Sequence, residues 1–174
     1  PLNCTEAERL DSVLYGIGVD SLNRLDVLLR ETRHCGPDVQ LQAIADHWNS
    51  CDANWGLKVV VLIRLLRLYR EGACHDDLPN EARVFLDGLP DPIPVYRGCS
   101  QPHVRGLAWS TDRGIAENFA WGHRGISVPD AVIASAEIPK DGVFFTCVDR
   151  EEFEVVLDPR RLQKLKVEPH GILN

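Results

Sequence analysis

The strongest constraint on the fold is a change of hydrophobic period at Gly88-Leu89-Pro90. Before it, apolar residues recur at helical spacing. After it, they come in short alternating or continuous runs separated by Gly, Pro, Asp and Asn. Short strands joined by turns, rather than by repeated long helices, argue against a doubly wound parallel sheet. The expected class is therefore α+β: a helical part over residues 1–90 packed on a small mixed or antiparallel β core over residues 91–174, the two forming one compact unit. A chain of 174 residues has enough material for such a pairing.

In the first half, Thr5 and Glu8 have the spacing of a capping box for a helix carrying Ala7, Leu10, Val13 and Leu14, ended by Gly16 and Gly18. Ser21 is expected to cap a second helix with Leu22, Leu25, Leu28 and Leu29, closed by His34-Cys35-Gly36-Pro37. Asp38 opens a third through Val39, Leu41, Ile44, Ala45 and Trp48. Residues 55–70, WGLKVVVLIRLLRLYR, are the most hydrophobic. Their β-branched centre suits a strand, but their length and the Arg64, Arg67, Glu71 stripe favour a helix, read as buried. The run from Leu57 to Leu68 is broken by Lys58 and Arg64 and is too short to span a bilayer. A shorter helix follows around Asn80 to Leu86.

In the second half, Pro94-Val95-Tyr96-Arg97-Gly98 reads as a strand entering a glycine turn, and Leu107 to Ser110 as another strand end. Thr111-Asp112 can cap a helix through Ile115, Ala116, Phe119 and Ala120. Ala131 to Ile138, Gly142 to Cys147 and Glu154 to Leu157 follow as strands, with Leu162 to Glu168 as an edge strand.

Composition excludes some functions. Lys and Arg number 19 against 26 Asp and Glu, a net charge of -7, and no segment carries the broad positive field of a nonspecific nucleic-acid binder. An anionic ligand would need a few local arginines. Neither GxGxxG nor GxxxxGK[ST] occurs. The six cysteines form no CxxC pair and read as mostly buried free thiols, with disulfides the open alternative. The histidines form no HExxH or compact cluster, so no metal is expected. The opening PLNCTEAERLDSVLYG lacks the basic start and greasy run of a secretory leader.

Three polar groups stand at strand ends. Arg97 can fork onto a phosphate or carboxylate, or pair with a surface acid. Ser110 and Thr111 lie at a strand-to-helix junction, where hydroxyls cap helices; capping by Thr111 or Asp112 would leave Ser110 to orient a neighbouring arginine or carboxylate. In EEFE, residues 151–154, a strand beginning near Glu152 would put Glu152 and Glu154 on one face and Phe153 toward an apolar layer. Solvated surface charge is the other reading. Two carboxylates so placed would lie on one side of a substrate, which disfavours a glycosidase-like flanking pair. Trp109 and Phe119 read as core or as ligand stackers, and Tyr96 is similarly open. Trp121, Gly122, His123 and Arg124 form either a ligand border or a polar loop. Cys147 has no informative local partner as a nucleophile.

Together the pieces YRG at 96–98, WSTD at 109–112 and EFEVVLDP at 152–159 carry a familiar order. Roughly residues 91–160 resemble the ADP-ribosyltransferases of the arginine–serine–glutamate class, which includes bacterial mono-ADP-ribosylating toxins. In that family an arginine ends an early core strand, a serine-threonine-serine element starts another, and a glutamate-x-glutamate element opens a later one. Here Asp112 replaces the last serine, and TDRGIAENFA matches the family's following helix.

The resemblance implies NAD as a consumed co-substrate. Arg97 would contact its phosphates or nearby ribose, and Ser110 would hold Arg97 and Glu154 in register with support from Thr111. Glu154 would hydrogen-bond the nicotinamide-side ribose and stabilise developing positive charge. Tyr96, Gly98, Phe119 and Arg124 would complete the NAD site. Glu152 would make a protein arginine the acceptor, and Asp149 and Arg150 are either acceptor contacts or a hydrophilic turn. Water as acceptor would make the chain an NAD glycohydrolase; a noncatalytic binding or regulatory domain on the same fold is the third reading. The N-terminal helices would cover the cleft or meet a target, inhibitor or immunity protein. Such a toxin or effector would be soluble, in a cytoplasm or delivered into that of a target cell.

Overall fold

The computed structural model describes residues 4–52, 56–122, 128–148 and 153–170, with side chains from Ala7 onward. The class is α+β. The helices are α1 (Cys4–Leu14), α2 (Arg24–Glu31), α3 (Pro37–His47), α4 (Lys58–Arg70), α5 (Asn80–Gly88) and α6 (Arg113–Trp121). The strands are β1 (Ile93–Ser100), β2 (Ala108–Ser110), β3 (Ala131–Ile138), β4 (Val143–Cys147), β5 (Glu154–Leu157) and β6 (Gln163–Pro169). The chain divides into two compact units, Pro1–Arg83 and Val84–Asn174. The division falls inside α5 rather than at the Gly-Leu-Pro punctuation after it, because Leu86 is buried in the apolar cluster of the sheet.

The first unit is helical, with Leu14, Leu28, Leu41, Ile44, Val61, Leu65 and Leu68 fully buried. Two sequence expectations are corrected here. The second helix starts at Arg24, and Ser21 does not cap it: Asp20 Oδ1 accepts from the Leu22 and Asn23 amides at 2.8 and 3.2 Å, closing a turn that leaves Leu22 65% exposed. Segment 58–70 is helical but not buried all round. Val59, Val60 and Ile63 are exposed on one side, and the Arg64 guanidinium bonds the Gln40 side chain on another.

His47 is a partly buried titratable side chain of this unit. Its Nδ1 lies 3.3 Å from the Tyr15 hydroxyl and its Nε2 3.6 Å from Asp11. Burial lowers its pKa, with Asp11 opposing and Arg24 assisting. A His whose folded pKa is depressed favours folding while neutral. Its contribution is complete above about pH 6.5 and is lost as pH falls through that value toward the folded one. Chemical denaturation between pH 7.5 and 5 is expected to show unfolding free energy falling by at most about 1.4 kcal/mol per pH unit from this group, with a flatter slope in His47→Gln.

The second unit is built on one six-stranded antiparallel sheet, in the order β4-β5-β2-β1-β3-β6. Alternation sends Ile93, Val95, Trp109, Val132, Ala134, Val155 and Leu157 into one apolar cluster, joined by Leu86 from α5. Asp112 starts α6 by accepting from the Gly114 and Ile115 amides at 2.6 and 3.2 Å. The helix then crosses the opposite face of β1. Strand β6 forms an edge, as expected, and its exposed residues include Lys164 and Lys166, which discourage further pairing. No helix among the described residues is long and apolar enough to cross a membrane.

Candidate functional site

Three neighbouring strands bring the sequence-separated polar groups together. Tyr96 of β1 pairs with Ser110 of β2, and Ser110 pairs with Glu154 of β5. Residues paired directly across a sheet project to the same face, so these three side chains form a row. With Arg97, Gly98 and Phe119 they line a cavity of about 210 Å3, backed by Ala108, Trp109 and Ala116.

Arg97 reaches this cavity from an unexpected position. It lies inside β1, which continues through Gly98 to Ser100, so the expected glycine turn is absent. Gly98 serves close packing instead: a Cβ there would lie 1.8 Å from the Ala116 carbonyl oxygen of α6. Strands β1 and β2 pair only at Tyr96–Ser110, and the Arg97 guanidinium spans the gap beyond that pair. Its Nε donates to the His103 carbonyl at 3.2 Å, and its Nη1 donates to the Ala108 carbonyl. Gly106 makes room for it, since a Cβ at 106 would meet Arg97 Cζ at 2.4 Å. The segment is further tied by Leu157 N–H to the Leu107 carbonyl at 2.9 Å, and by Arg105 to the Pro159 carbonyl at 3.0 Å.

This makes Arg97 a clasp for residues 103–108 as well as a source of positive charge. Burial lowers its pKa from the ordinary arginine value, while Cys99 and Glu154 push the other way. The Cys99 thiol also bonds the guanidinium, and burial raises the thiol's own pKa. Arg97→Lys is expected to reduce unfolding free energy by about 1–3 kcal/mol in a urea melt, because an ammonium cannot replace two directed guanidinium bonds.

Ser110 is 7% exposed, and its hydroxyl accepts from the Asp112 amide at 3.0 Å. Asp112, the departure from the serine-threonine-serine pattern, is the helix cap. Thr111 lies beside the row and is not among the cavity-lining residues; its amide donates to the Phe153 carbonyl at 3.1 Å. Trp109 is core, 1% exposed, and its indole N–H donates to the Gly106 carbonyl at 3.0 Å.

The expectation for the acid cluster needs correction at its start. Strand β5 begins at Glu154 rather than near Glu152, and Phe153 has φ +44°. This left-handed residue interrupts alternation, so Phe153 does not point into the sheet's apolar cluster. It is 38% exposed and packs against Phe85. Glu152, Arg124, His123, Asp149 and Arg150 lie outside the described residues.

Sequence reasoning did not single out Cys99, Gly106, Ala108 or Ala116. Alternation could have found Cys99, two residues from Arg97 on the same strand face. Gly106 and the two carbonyls carried no signal, because their roles depend on where a distant side chain comes to rest. Cys147 enters by pairing directly with Glu154 on β5.

A cavity combining a carboxylate, a hydroxyl, an arginine and two aromatic rings suits a polar ring with hydroxyls and an anionic neighbour. The cavity is smaller than the roughly 300–1,000 Å3 of drug-sized ligand sites. Among the described residues, no group of three His, Cys, Asp or Glu side chains is arranged to hold a metal ion.

Comparison with family models, with curated proteins and with solved structures returned no match to this chain. The likeness to ADP-ribosyltransferases therefore rests on the residues and motifs themselves.

Proposed function

We propose that this chain is an NAD-dependent mono-ADP-ribosyltransferase that cleaves the nicotinamide–ribose bond and transfers ADP-ribose to a protein, acting as a toxin or effector. The observation that carries this reading is the convergence of Arg97, Ser110 and Glu154 on one cavity, with Ser110 and Glu154 paired across neighbouring strands. These are the residues that the family resemblance singles out, and they are more than forty positions apart at the extremes of the chain segment that carries them.

In the proposed reaction, the nicotinamide–ribose end of NAD enters the cavity beside Tyr96 and Phe119. Arg97 faces the phosphate side, and Glu154 accepts a hydrogen bond from a ribose hydroxyl. The glycosidic C–N bond breaks, and nicotinamide leaves with the bonding pair as a neutral molecule. Positive charge develops on the ribosyl carbon and ring oxygen, where the Glu154 carboxylate stabilises it. An acceptor lone pair then forms the new bond, and the acceptor proton passes to a base or water. A protein arginine is the leading acceptor on the glutamate-x-glutamate pattern, with Glu152 orienting or deprotonating it.

The test is nicotinamide release from NAD by the pure chain, followed by incubation with cell lysate and NAD labelled in the adenosine moiety. Release with label on lysate protein supports the transferase. Release without labelled protein assigns water as the acceptor and the chain as a glycohydrolase. Folded protein that neither binds nor cleaves NAD would leave a binding or regulatory domain as the better reading.

A further inference from the structure

Phe153 combines three unusual features immediately before Glu154. Its φ of +44° is costly for a bulky L-residue and persists only when surrounding contacts over-determine it. Its carbonyl accepts the Thr111 amide at 3.1 Å, fastening the start of β5 to the residue after Ser110. Its ring packs on Phe85 of α5, with centroids 5.9 Å apart and planes tilted by 30°. Helix α5 is itself anchored through Leu86, 2% exposed in the sheet's apolar cluster. A hydrogen bond behind and an aromatic contact in front thus hold a strained residue whose next neighbour is the carboxylate.

The consequence lies in register. Glu154 is paired with Ser110 on one side and Cys147 on the other. A slip by one residue would turn its side chain to the opposite face of the sheet, away from the cavity. The left-handed step at Phe153 immediately precedes β5, whose register aims Glu154 into the cavity.

We infer that Phe85 and Phe153 are a positioning pair for Glu154, fixing the carboxylate through the backbone of Phe153 without touching the substrate. This rests on the proposed role of Glu154 at the ribose. It predicts a kinetic split: misaiming a group that acts at the transition state lowers kcat, whereas NAD affinity, set by other cavity residues, holds KM nearly constant.

The full chain carrying Phe85→Ala, Phe85→Leu or Phe153→Gly would be compared with wild type for nicotinamide release and for hydrogen exchange at the Thr111 amide. For Phe85→Ala, we expect kcat to fall about tenfold to a hundredfold with KM changed less than about twofold. Thr111 exchange should accelerate about tenfold while β3 amides remain protected, and Phe85→Leu should recover part of both losses. Phe153→Gly accepts the left-handed backbone but removes the ring, so it should resemble Phe85→Ala. Unchanged Thr111 exchange in Phe85→Ala, or faster exchange spread evenly over the sheet, overturns the positioning role whatever the activity. Absence of nicotinamide release from folded wild type would overturn the proposed function, while the Thr111 measurement would still judge the aromatic pair.

Discussion

Glu154→Gln is expected to lower nicotinamide release from NAD by about 10²–10³-fold, the loss seen when one preorganised electrostatic contact to a transition state is removed. Glutamine keeps the volume and one carbonyl oxygen, so it can still accept a ribose hydrogen bond. It loses the negative charge opposite the developing oxocarbenium ion. The defect should therefore appear in kcat more than in KM. The substitution also removes a charge that acts on Arg97. Because Glu154 is only partly buried, the change in unfolding free energy should stay below about 1 kcal/mol. Activity and thermal melting measured on the same preparation distinguish this result from misfolding. Wild-type rates in the variant would remove Glu154 from the chemistry and the transferase reading with it.

Gly98→Ala is expected to have the largest effect on stability. The added methyl would meet the Ala116 carbonyl oxygen at 1.8 Å and the Ala120 nitrogen at 2.7 Å, both backbone atoms of α6. No rotamer change can relieve such contacts, so the helix must lift from β1. Overpacking of this kind costs about 3 kcal/mol or more. It should lower Tm by about 10 °C, and it should enlarge the cavity between β1 and α6 enough to weaken any ligand held there. Gly88→Ala is the control. Nothing lies within 4 Å of a Cβ at Gly88, so its melting temperature should stay near that of wild type. Equal melting temperatures for the two variants would show that α6 does not rest on Gly98 as described.

Much of the secondary structure was legible because local chemistry decided it. The Asp112 cap needs only its own side chain and the next amides, and β3 carries Val132, Ile133 and Ile138 and ends at the Pro139 turn. The errors arose where a local signal competed with a distant contact. Ser21 had the composition of a cap, but Asp20 and Asn23 took the local amides into a turn. Gly98 had the composition of a turn, but its lack of a side chain served an approaching helix. The hydrophobic run 55–70 suggested a buried helix, although only Val61, Leu65 and Leu68 are buried within α4. Hydropathy measures the residues available for burial and not the number of neighbours that cover them.

The candidate site divides in the same way. Arg97, Ser110 and Glu154 were singled out by their order in the chain through the family resemblance, and the structure brings all three to one cavity. The pairing of Ser110 with both Tyr96 and Glu154 was not readable. Register depends on hydrogen bonds between segments far apart in the chain, and a shift of one residue reverses the face. Nor could the sequence indicate that Arg97 would clasp carbonyls at 103 and 108, or that Phe153 would adopt a left-handed backbone against Phe85. By itself, the sequence determined the α+β division, the Asp112 cap and the identity of the polar groups, through propensities that act over a few residues. The tertiary structure alone decided which of those groups share a cavity and which way each one faces, because both are set by long-range packing.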